Sequence, residues 1–213
     1  RYAEFQVMQT PLVLQISDAR VKPLQIVMSQ NTLKKIFTKH KLSPNLVKQI
    51  PAALADPIMV FESEGRAKQL QNGLVVMLEL KDSQGATINV PIALNAAHKG
   101  AQGQIVCNDI ASAYGRLSPL TGKPFNDWFV KQAAAPGRLK YVNTKKYSQW
   151  ISQAGLVGSG GQSIKSLFNS VKTEADLVKA QSAAPGSYAL GEKRAGLPPL
   201  SVSEVAARVK GAK

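Results

Sequence analysis

Residues 73–94 read GLVVMLELKDSQGATINVPIAL and contain two extended segments joined by a turn. The first segment, 73–81, is almost continuously apolar, which is typical of a central strand that is covered on both faces. Residues 82–85, DSQG, have the composition of a turn. From Thr87 to Leu94 apolar residues alternate with other residues, which predicts a strand with one buried face, although Pro91 suggests an edge or a bulge. This pair of segments predicts an antiparallel sheet.

Further elements are predicted on both sides of this pair. The first thirty residues read as short extended segments. Ser29 or Asn31 then caps a helix with apolar residues at spacings i, i+3, i+4 and i+7, and a second helix begins at Ser43-Pro44. The remaining predicted elements are strands at 58–63, 104–114 and 138–143 and helices at 120–132 and from residue 144 onward. The pattern predicts an α+β domain with N-terminal helices packed on a four- to five-stranded antiparallel sheet.

The composition separates a core-forming part of the chain from a tail. Around residues 158–161, GSGG, the sequence becomes rich in Gly, Ser, Ala and Pro. We therefore predict a domain at 1–155 and a basic, weakly helical C-terminal appendage at 156–213. The sequence does not begin with methionine, and we expect it to be part of a larger parent polypeptide.

The charge of the chain is its most informative global property. It contains 27 Lys+Arg and 13 Asp+Glu, which gives a formal net charge of +14 at pH 7. Such an excess favours polyanionic partners, and RNA is the expected one. No apolar run approaches the roughly 20 residues that a membrane-spanning helix needs, so a membrane protein is not expected. The single cysteine, Cys107, suits a reducing compartment, and the cytoplasm is the expected site of action.

Metal-binding residue types are scarce in this sequence. Cys107, His40 and His98 are too few soft ligands for a structural zinc site. No group of three close carboxylates has the spacing expected for catalytic magnesium. We therefore expect chemistry that uses neither a metal nor a cofactor.

A distinctive string lies at residues 39–63, KHKLSPNLVKQIPAALADPIMVFES. It resembles the C-terminal domain of phage MuF-type head-morphogenesis proteins and of related phage-borne polymorphic toxins. These are assigned to a superfamily with barnase, EndoU, the colicin RNases and RelE. The similarity covers roughly residues 10–151, including NDIASAYGR at 108–116 and LKYVNTKKYSQW at 139–150. The resemblance implies a barnase- or RelE-like fold and a toxin-type ribonuclease, with a cognate immunity or antitoxin protein as a further partner.

The resemblance directs attention to residues suited to metal-free RNA cleavage. Such a reaction needs a base for the ribose 2′-hydroxyl, an acid for the leaving 5′-oxygen and cations around the phosphate. His40 is the predicted acid–base residue, because an imidazole titrates near neutral pH. The alternative is a packed core histidine, since His40 ends the apolar stripe of its helix. His98 is predicted to lie in a loop as a surface histidine.

Asn108, Ser112, Tyr114 and Arg116 form a second candidate group. On a strand, their even spacing puts all four side chains on one face. If the segment is helical instead, Asn108 and Ser112 still share a face at i, i+4. Ser112 and Tyr114 are predicted to contact the phosphate in the catalytic site, and Asn108 and Arg116 to bind RNA. The alternative is an ordinary turn at the end of a strand.

The segment 140–147 is a basic run with aromatic residues between the lysines. Lys140, Tyr141 and Lys146 are predicted to bind RNA, because cations beside stacking rings suit a single strand. The alternative is a solvated strand end and helix start. The resulting hypothesis is a metal-independent ribonuclease that cleaves RNA by 2′-OH transesterification. Its alternative is a non-catalytic nucleic-acid-binding or assembly domain of a phage structural protein.

Overall fold

The computed structural model describes residues 4–64, 72–100, 103–156 and 166–183. Within these ranges the chain forms six α-helices and a nine-stranded mixed sheet. The strands are β1 (Glu4–Gln9), β2 (Gln25–Ser29), β3 (Met59–Glu62), β4 (Gly73–Lys81), β5 (Thr87–Gly100), β6 (Gly103–Ile110), β7 (Tyr114–Gly115), β8 (Leu139–Val142) and β9 (Lys172–Thr173). The helices are α1 (Leu12–Ser17), α2 (Gln30–Thr38), α3 (Pro44–Ala55), α4 (Asn126–Ala134), α5 (Thr144–Gln153) and α6 (Glu174–Ala183). Of these described helices, none is long and apolar enough to cross a membrane.

The sheet has the strand order β1-β2-β6-β5-β4-β3-β8-β9, and β7 pairs with β5. Neighbouring strands are antiparallel except for β2 with β6 and β8 with β9, which are parallel. The chain is α+β overall, but the predicted four- to five-stranded antiparallel sheet is wrong. The prediction read the first thirty residues as short extended segments but left them out of the sheet, and it missed β9. The partners β6 of β2 and β8 of β9 lie far away along the chain, so that no local pattern shows the pairing.

Three local predictions are also wrong. The apolar piece at 12–14 belongs to helix α1 and is not extended. The strand predicted at 104–114 stops at Ile110, and a loop leads from there to β7. The helix predicted at 120–132 begins only at Asn126, because a bridge between Leu117 and Pro124 holds the preceding residues in a turn.

Two apolar cores lie on opposite faces of the sheet. Along β4, Leu74 and Val76 contribute to the first core, whereas Val75 and Met77 contribute to the second. Helices α1, α2 and α3 cover the first core, and α4 and α5 cover the second. Strand β4 is therefore central and buried on both faces, as its apolar run predicts.

The predicted caps of the first two long helices are confirmed. The Ser29 hydroxyl accepts a hydrogen bond from the Thr32 amide at 3.1 Å at the start of α2, and the Ser43 hydroxyl caps α3 in the same way. Helix α2 ends at Thr38, so His40 lies just beyond it and not within its apolar stripe. This short connection to α3 determines where the His40 ring lies.

Residues 166–183 return to the sheet after the fifth helix. Strand β9 pairs with β8, and Leu167, Phe168 and Val171 pack against the second core. Leu177 of α6 packs against the first core. The domain boundary at residue 155 stays a prediction, but this described part of the tail contacts both cores.

Candidate functional site

His40, Ser112 and Tyr114 lie together, although they come from two distant segments of the chain. His40 Nε2 is 3.2 Å from Ser112 Oγ. The rings of His40 and Tyr114 are stacked, with centroids 5.0 Å apart and planes inclined by 25°. Ser112 is buried, whereas His40 and Tyr114 are half-buried. We call these three residues the His40 cluster.

The backbone around Tyr114 is held firmly. Strand β7 pairs with β5, and the buried Asn89 donates from Nδ2 to the Tyr114 carbonyl oxygen at 2.7 Å. The next residue, Gly115, lies so close to the turn after β4 that a Cβ atom would overlap the Asp82 carboxylate and the Ala86 side chain. Residue 115 therefore has to be glycine for β7 to dock here, and this docking positions the Tyr114 ring.

The surroundings of His40 favour its neutral form. Burial lowers the pKa of His40, and the positive charges of Lys35 and Lys39 lower this pKa further. A neutral imidazole at physiological pH has a free lone pair on one ring nitrogen and is able to accept a proton. Within the described residues, no carboxylate pairs with Lys35 or Lys39.

The chain segment that carries His40 has a one-sided charge pattern. Between Asp18 and Asp56 the sequence contains seven Lys+Arg and no Asp or Glu. This stretch includes α2, His40 and α3. The His40 cluster is therefore bordered by a stretch of chain that carries only positive charge, which attracts anionic ligands.

Asn108 and Arg116 have partners of their own. Asn108 is buried and donates from Nδ2 to the Thr10 hydroxyl at 2.8 Å. The Arg116 guanidinium lies 4.0 Å from the centroid of the Trp128 ring, a cation–π contact. The prediction that Asn108, Arg116 and the two cluster residues between them share one strand face is wrong, because β6 ends at Ile110.

The predicted RNA-binding residues of the basic run are also engaged within the fold. Lys140 Nζ lies 3.4 Å from a Glu62 carboxylate oxygen. Lys146 Nζ lies 2.7 Å from an Asp56 carboxylate oxygen and pairs with a second carboxylate. Tyr141 is fully buried in the first core. The segment is a strand end and helix start, as the alternative states, but these side chains are packed or paired and not simply solvated. That they bind RNA stays a prediction.

A second titratable cluster was not predicted. His98 lies in β5, so its predicted position in a surface loop is wrong. Its Nδ1 contacts the Glu4 carboxylate of β1, and its Nε2 is 3.6 Å from Asp109 Oδ2 of β6. His98 and Asp109 line a cavity of about 480 Å³. No sequence signal reveals this Glu4–His98–Asp109 cluster, because its members lie on three separate strands.

A family comparison bears on both clusters. The family model of the phage MuF C-terminal domain matches residues 31–149, which is more than half of the chain. The chain belongs to this family. The matched residues of this MuF C-terminal domain include all three residues of the His40 cluster. Glu4 of the second cluster lies outside the matched residues. No curated protein and no solved structure matches the chain.

The Glu4–His98–Asp109 cluster does not have the geometry of a metal site. The two carboxylates lie on opposite sides of the imidazole ring, so the three side chains do not converge on one point. Across the described part of this MuF C-terminal domain, no three His, Cys, Asp or Glu side chains are grouped to hold a metal ion.

The raised pKa of Asp109 leads to a prediction about stability. Burial raises the pKa of Asp109 from 3.8 to about 6, and the negative charge of Glu4 adds to the rise while His98 opposes it. The folded domain therefore binds more protons than the unfolded chain between about pH 4 and 6. The stability that protonated Asp109 contributes is present below about pH 4 and is lost as the pH rises through about 6. The free energy of unfolding of Asp109→Asn minus that of the parent is therefore expected to be larger at pH 7 than at pH 4, by of order 1–3 kcal/mol.

Urea unfolding of both proteins at pH 4 and pH 7 measures this difference. Asp127→Asn is the matched control, because Asp127 is exposed in the first turn of α4. An equal difference between Asp109→Asn and the parent at the two pH values would contradict the prediction.

Proposed function

We propose that this MuF C-terminal domain is a metal-independent, toxin-type ribonuclease that acts in the cytoplasm of a target or host cell. The observation that carries the proposal is the 3.2 Å contact of His40 Nε2 with Ser112 Oγ beside the Tyr114 ring. The positive charge of α2 next to this contact supports an RNA substrate. The Glu4–His98–Asp109 cluster is a weaker candidate for the RNA site. Its two carboxylates have no Lys or Arg partner among the described residues and repel a phosphate.

The proposed reaction transfers the ribose 2′-oxygen onto the neighbouring phosphorus atom. Neutral His40 accepts the proton of the 2′-hydroxyl as this oxygen attacks. The bond from phosphorus to the 5′-oxygen breaks, and that oxygen takes up a proton from Tyr114 or water. The products are a 2′,3′-cyclic phosphate and a 5′-hydroxyl. Ser112 is the proposed hydrogen-bond donor to the phosphate, and Lys35 and Lys39 stabilise its added negative charge.

Incubation of the purified domain with total RNA, with and without EDTA, tests this proposal. We expect cleavage in EDTA and fragments that end in 2′,3′-cyclic phosphate, because the proposed base is a side chain and not a metal-bound hydroxide. Mass spectrometry of the fragments identifies these ends. Cleavage that strictly requires magnesium or zinc would contradict the mechanism.

The alternative is a non-catalytic nucleic-acid-binding or assembly domain of a phage structural protein. The cationic stretch around α2 favours it, because a stretch of positive charge binds a polyanion without any chemistry. This alternative predicts RNA binding without cleavage in the same experiment. A cognate immunity protein is a partner only of the toxin-type ribonuclease.

The two lysines beside His40 are expected to contribute directly to RNA binding. Lys35→Ala combined with Lys39→Ala removes two charges next to the proposed site. For single-stranded RNA, each lost phosphate contact is expected to lower the slope of log affinity against log salt by roughly 0.7. The slope of the double variant should therefore be less steep by about 1.4. Fluorescence anisotropy with a labelled oligonucleotide at several salt concentrations measures it.

Lys131→Ala combined with Lys179→Ala provides the matched control. Both lysines are exposed, Lys131 on α4 and Lys179 on α6, outside the α2 stretch of the sequence, and the loss of charge is the same. An equal loss of slope in both double variants would mean that the RNA responds to the net charge alone and has no preferred surface.

A further inference from the structure

The chain that follows β7 holds Arg116 next to the His40 cluster. Arg116 comes two residues after Tyr114, and its carbonyl oxygen accepts a hydrogen bond from the Phe125 amide at 2.8 Å. This bond and the bridge between Leu117 and Pro124 keep the chain extended beyond β7. Side chains two residues apart on an extended chain lie on the same side, about 7 Å apart. The Arg116 side chain is therefore the neighbour of the Tyr114 ring.

An aromatic ring supports the Arg116 guanidinium. The guanidinium lies over the Trp128 ring, with Cζ 4.0 Å from the ring centroid. Trp128 is itself held by Phe61 and Phe129, whose ring centroids lie 5.8 Å and 5.1 Å from its own and whose planes are steeply inclined to it. The guanidinium thus rests on a ring that the second core fixes in place.

The guanidinium of Arg116 differs from those of the other arginines in the described ranges. Arg20 pairs with the Asp18 carboxylate at 2.6 Å. Arg138 donates to the Glu62 carbonyl oxygen at 2.8 Å. Within the same ranges, the Arg116 guanidinium has neither a hydrogen bond nor an ion pair. Its N–H donors are therefore available to a ligand.

A guanidinium that lies on an aromatic ring presents a second flat face to a ligand. The bases of single-stranded RNA stack on aromatic side chains and on guanidinium planes. The donors at the edge of the same guanidinium are able to bind acceptor oxygens of the nucleotide. Arg116 and Trp128 are both only half-buried, so a base is able to reach them.

We infer that Arg116, supported by Trp128, is a stacking site for an unpaired base of single-stranded RNA. This inference rests on the proposed function, because the phosphate at the His40 cluster and the base on Arg116 belong to the same strand. It also narrows the substrate to single-stranded RNA. The bases of a duplex are stacked on one another and do not offer a face to a side chain.

Binding of an uncleavable RNA tests this site independently of catalysis. One probe is a short single-stranded 2′-O-methyl oligonucleotide, and a second probe of equal length has the same backbone without bases. Arg116→Lys keeps the positive charge but removes the flat face. We expect this variant to bind the base-containing probe about five- to thirtyfold more weakly than the parent does, and the abasic probe equally well. Fluorescence anisotropy measures the four affinities.

Arg20→Lys is the matched control, because it makes the same substitution at an arginine that is paired within the fold. Its affinity for each probe should equal that of the parent. An equal loss with both probes in Arg116→Lys would assign Arg116 to the RNA backbone and overturn the inference. The unmodified chain gives a test that needs no variant. Equal binding of the two probes by the parent would also overturn the inference.

Cleavage kinetics separate this inference from the proposed function. A base that is held equally in the ground state and the transition state contributes uniform binding. With a cleavable single strand, Arg116→Lys should therefore raise KM by about five- to thirtyfold and leave kcat unchanged. A lower kcat with an unchanged KM would overturn the stacking role. Absence of cleavage by the parent would contradict the proposed ribonuclease and leave the binding test valid.

Discussion

Replacing His40 by glutamine is expected to lower RNA cleavage by about 10²- to 10⁴-fold, the usual contribution of general acid–base catalysis. Glutamine keeps a polar side chain next to Ser112 Oγ but has no titrating nitrogen. Folding and RNA affinity should change little, because His40 lies outside helix α2 and is only half-buried. Initial rates on a fluorogenic RNA substrate and a thermal melt of the same sample measure the two effects.

The same substitution at the other histidine provides the control. His98→Gln changes the Glu4–His98–Asp109 cluster and leaves the His40 cluster intact, so its cleavage rate per folded molecule should match that of the parent. If His40 has only a packing role, glutamine there should cost roughly 1–3 kcal/mol of stability and leave the activity unchanged. A destabilised but fully active His40→Gln protein would remove His40 from the proposed mechanism.

Shortening the chain is expected to lower its melting temperature in two steps. A chain that ends at Val171 loses β9 and α6, with the Leu177 contact and the Glu174 hydrogen bonds, which together contribute about 2 kcal/mol. A chain that ends at Leu156 also loses Leu167, Phe168 and Val171 from the second core, at roughly 1 kcal/mol for each partly buried side chain. At about 2–4 °C per kcal/mol, we expect losses of about 4–8 °C and about 10–20 °C.

The composition of the tail leads to the opposite expectation, that a cut near residue 158 leaves the melting temperature unchanged. A chain that ends at Ala183 is the reference for both shorter forms, and differential scanning calorimetry measures all three. Equal melting temperatures would support an independent domain at 1–155. A large loss of melting temperature in the chain that ends at Leu156 would show that Phe168 is part of the folded unit. The ring centroids of Phe168 and Tyr147 lie 5.6 Å apart.

The sequence predicted the centre of the fold better than its edges. The apolar run of β4 is enough to identify a strand buried on both faces, because burial on two sides leaves no room for polar residues. Strand β2 has a similar composition, but its partner β6 lies far along the chain and pairs in parallel. Local patterns identify such a segment as extended without indicating its neighbour. For this reason the predicted sheet was too small.

The candidate site was predictable in its residue types but not in its contacts. His40 and the Ser112–Tyr114 segment were identified from a family resemblance and from chemistry, and the structure brings their side chains together. Lys146 shows the limit of such reasoning. It looks like a free cation in a basic run, but Asp56 neutralises it from an element about ninety residues earlier. Spacing within a segment does not reveal partners that the fold supplies.

The parallel pairing of β2 with β6 also affects how this chain is able to fold during synthesis. Ile26 pairs with Asn108, so β2 leaves the ribosome long before its partner. Until then Ile26 and Val27, which are fully buried in the finished domain, have β1 as their nearest available strand. Pairings between such distant segments slow folding and leave apolar strands exposed in the meantime. We therefore expect nascent chains that stop before β6 to depend on chaperones more than the complete chain does.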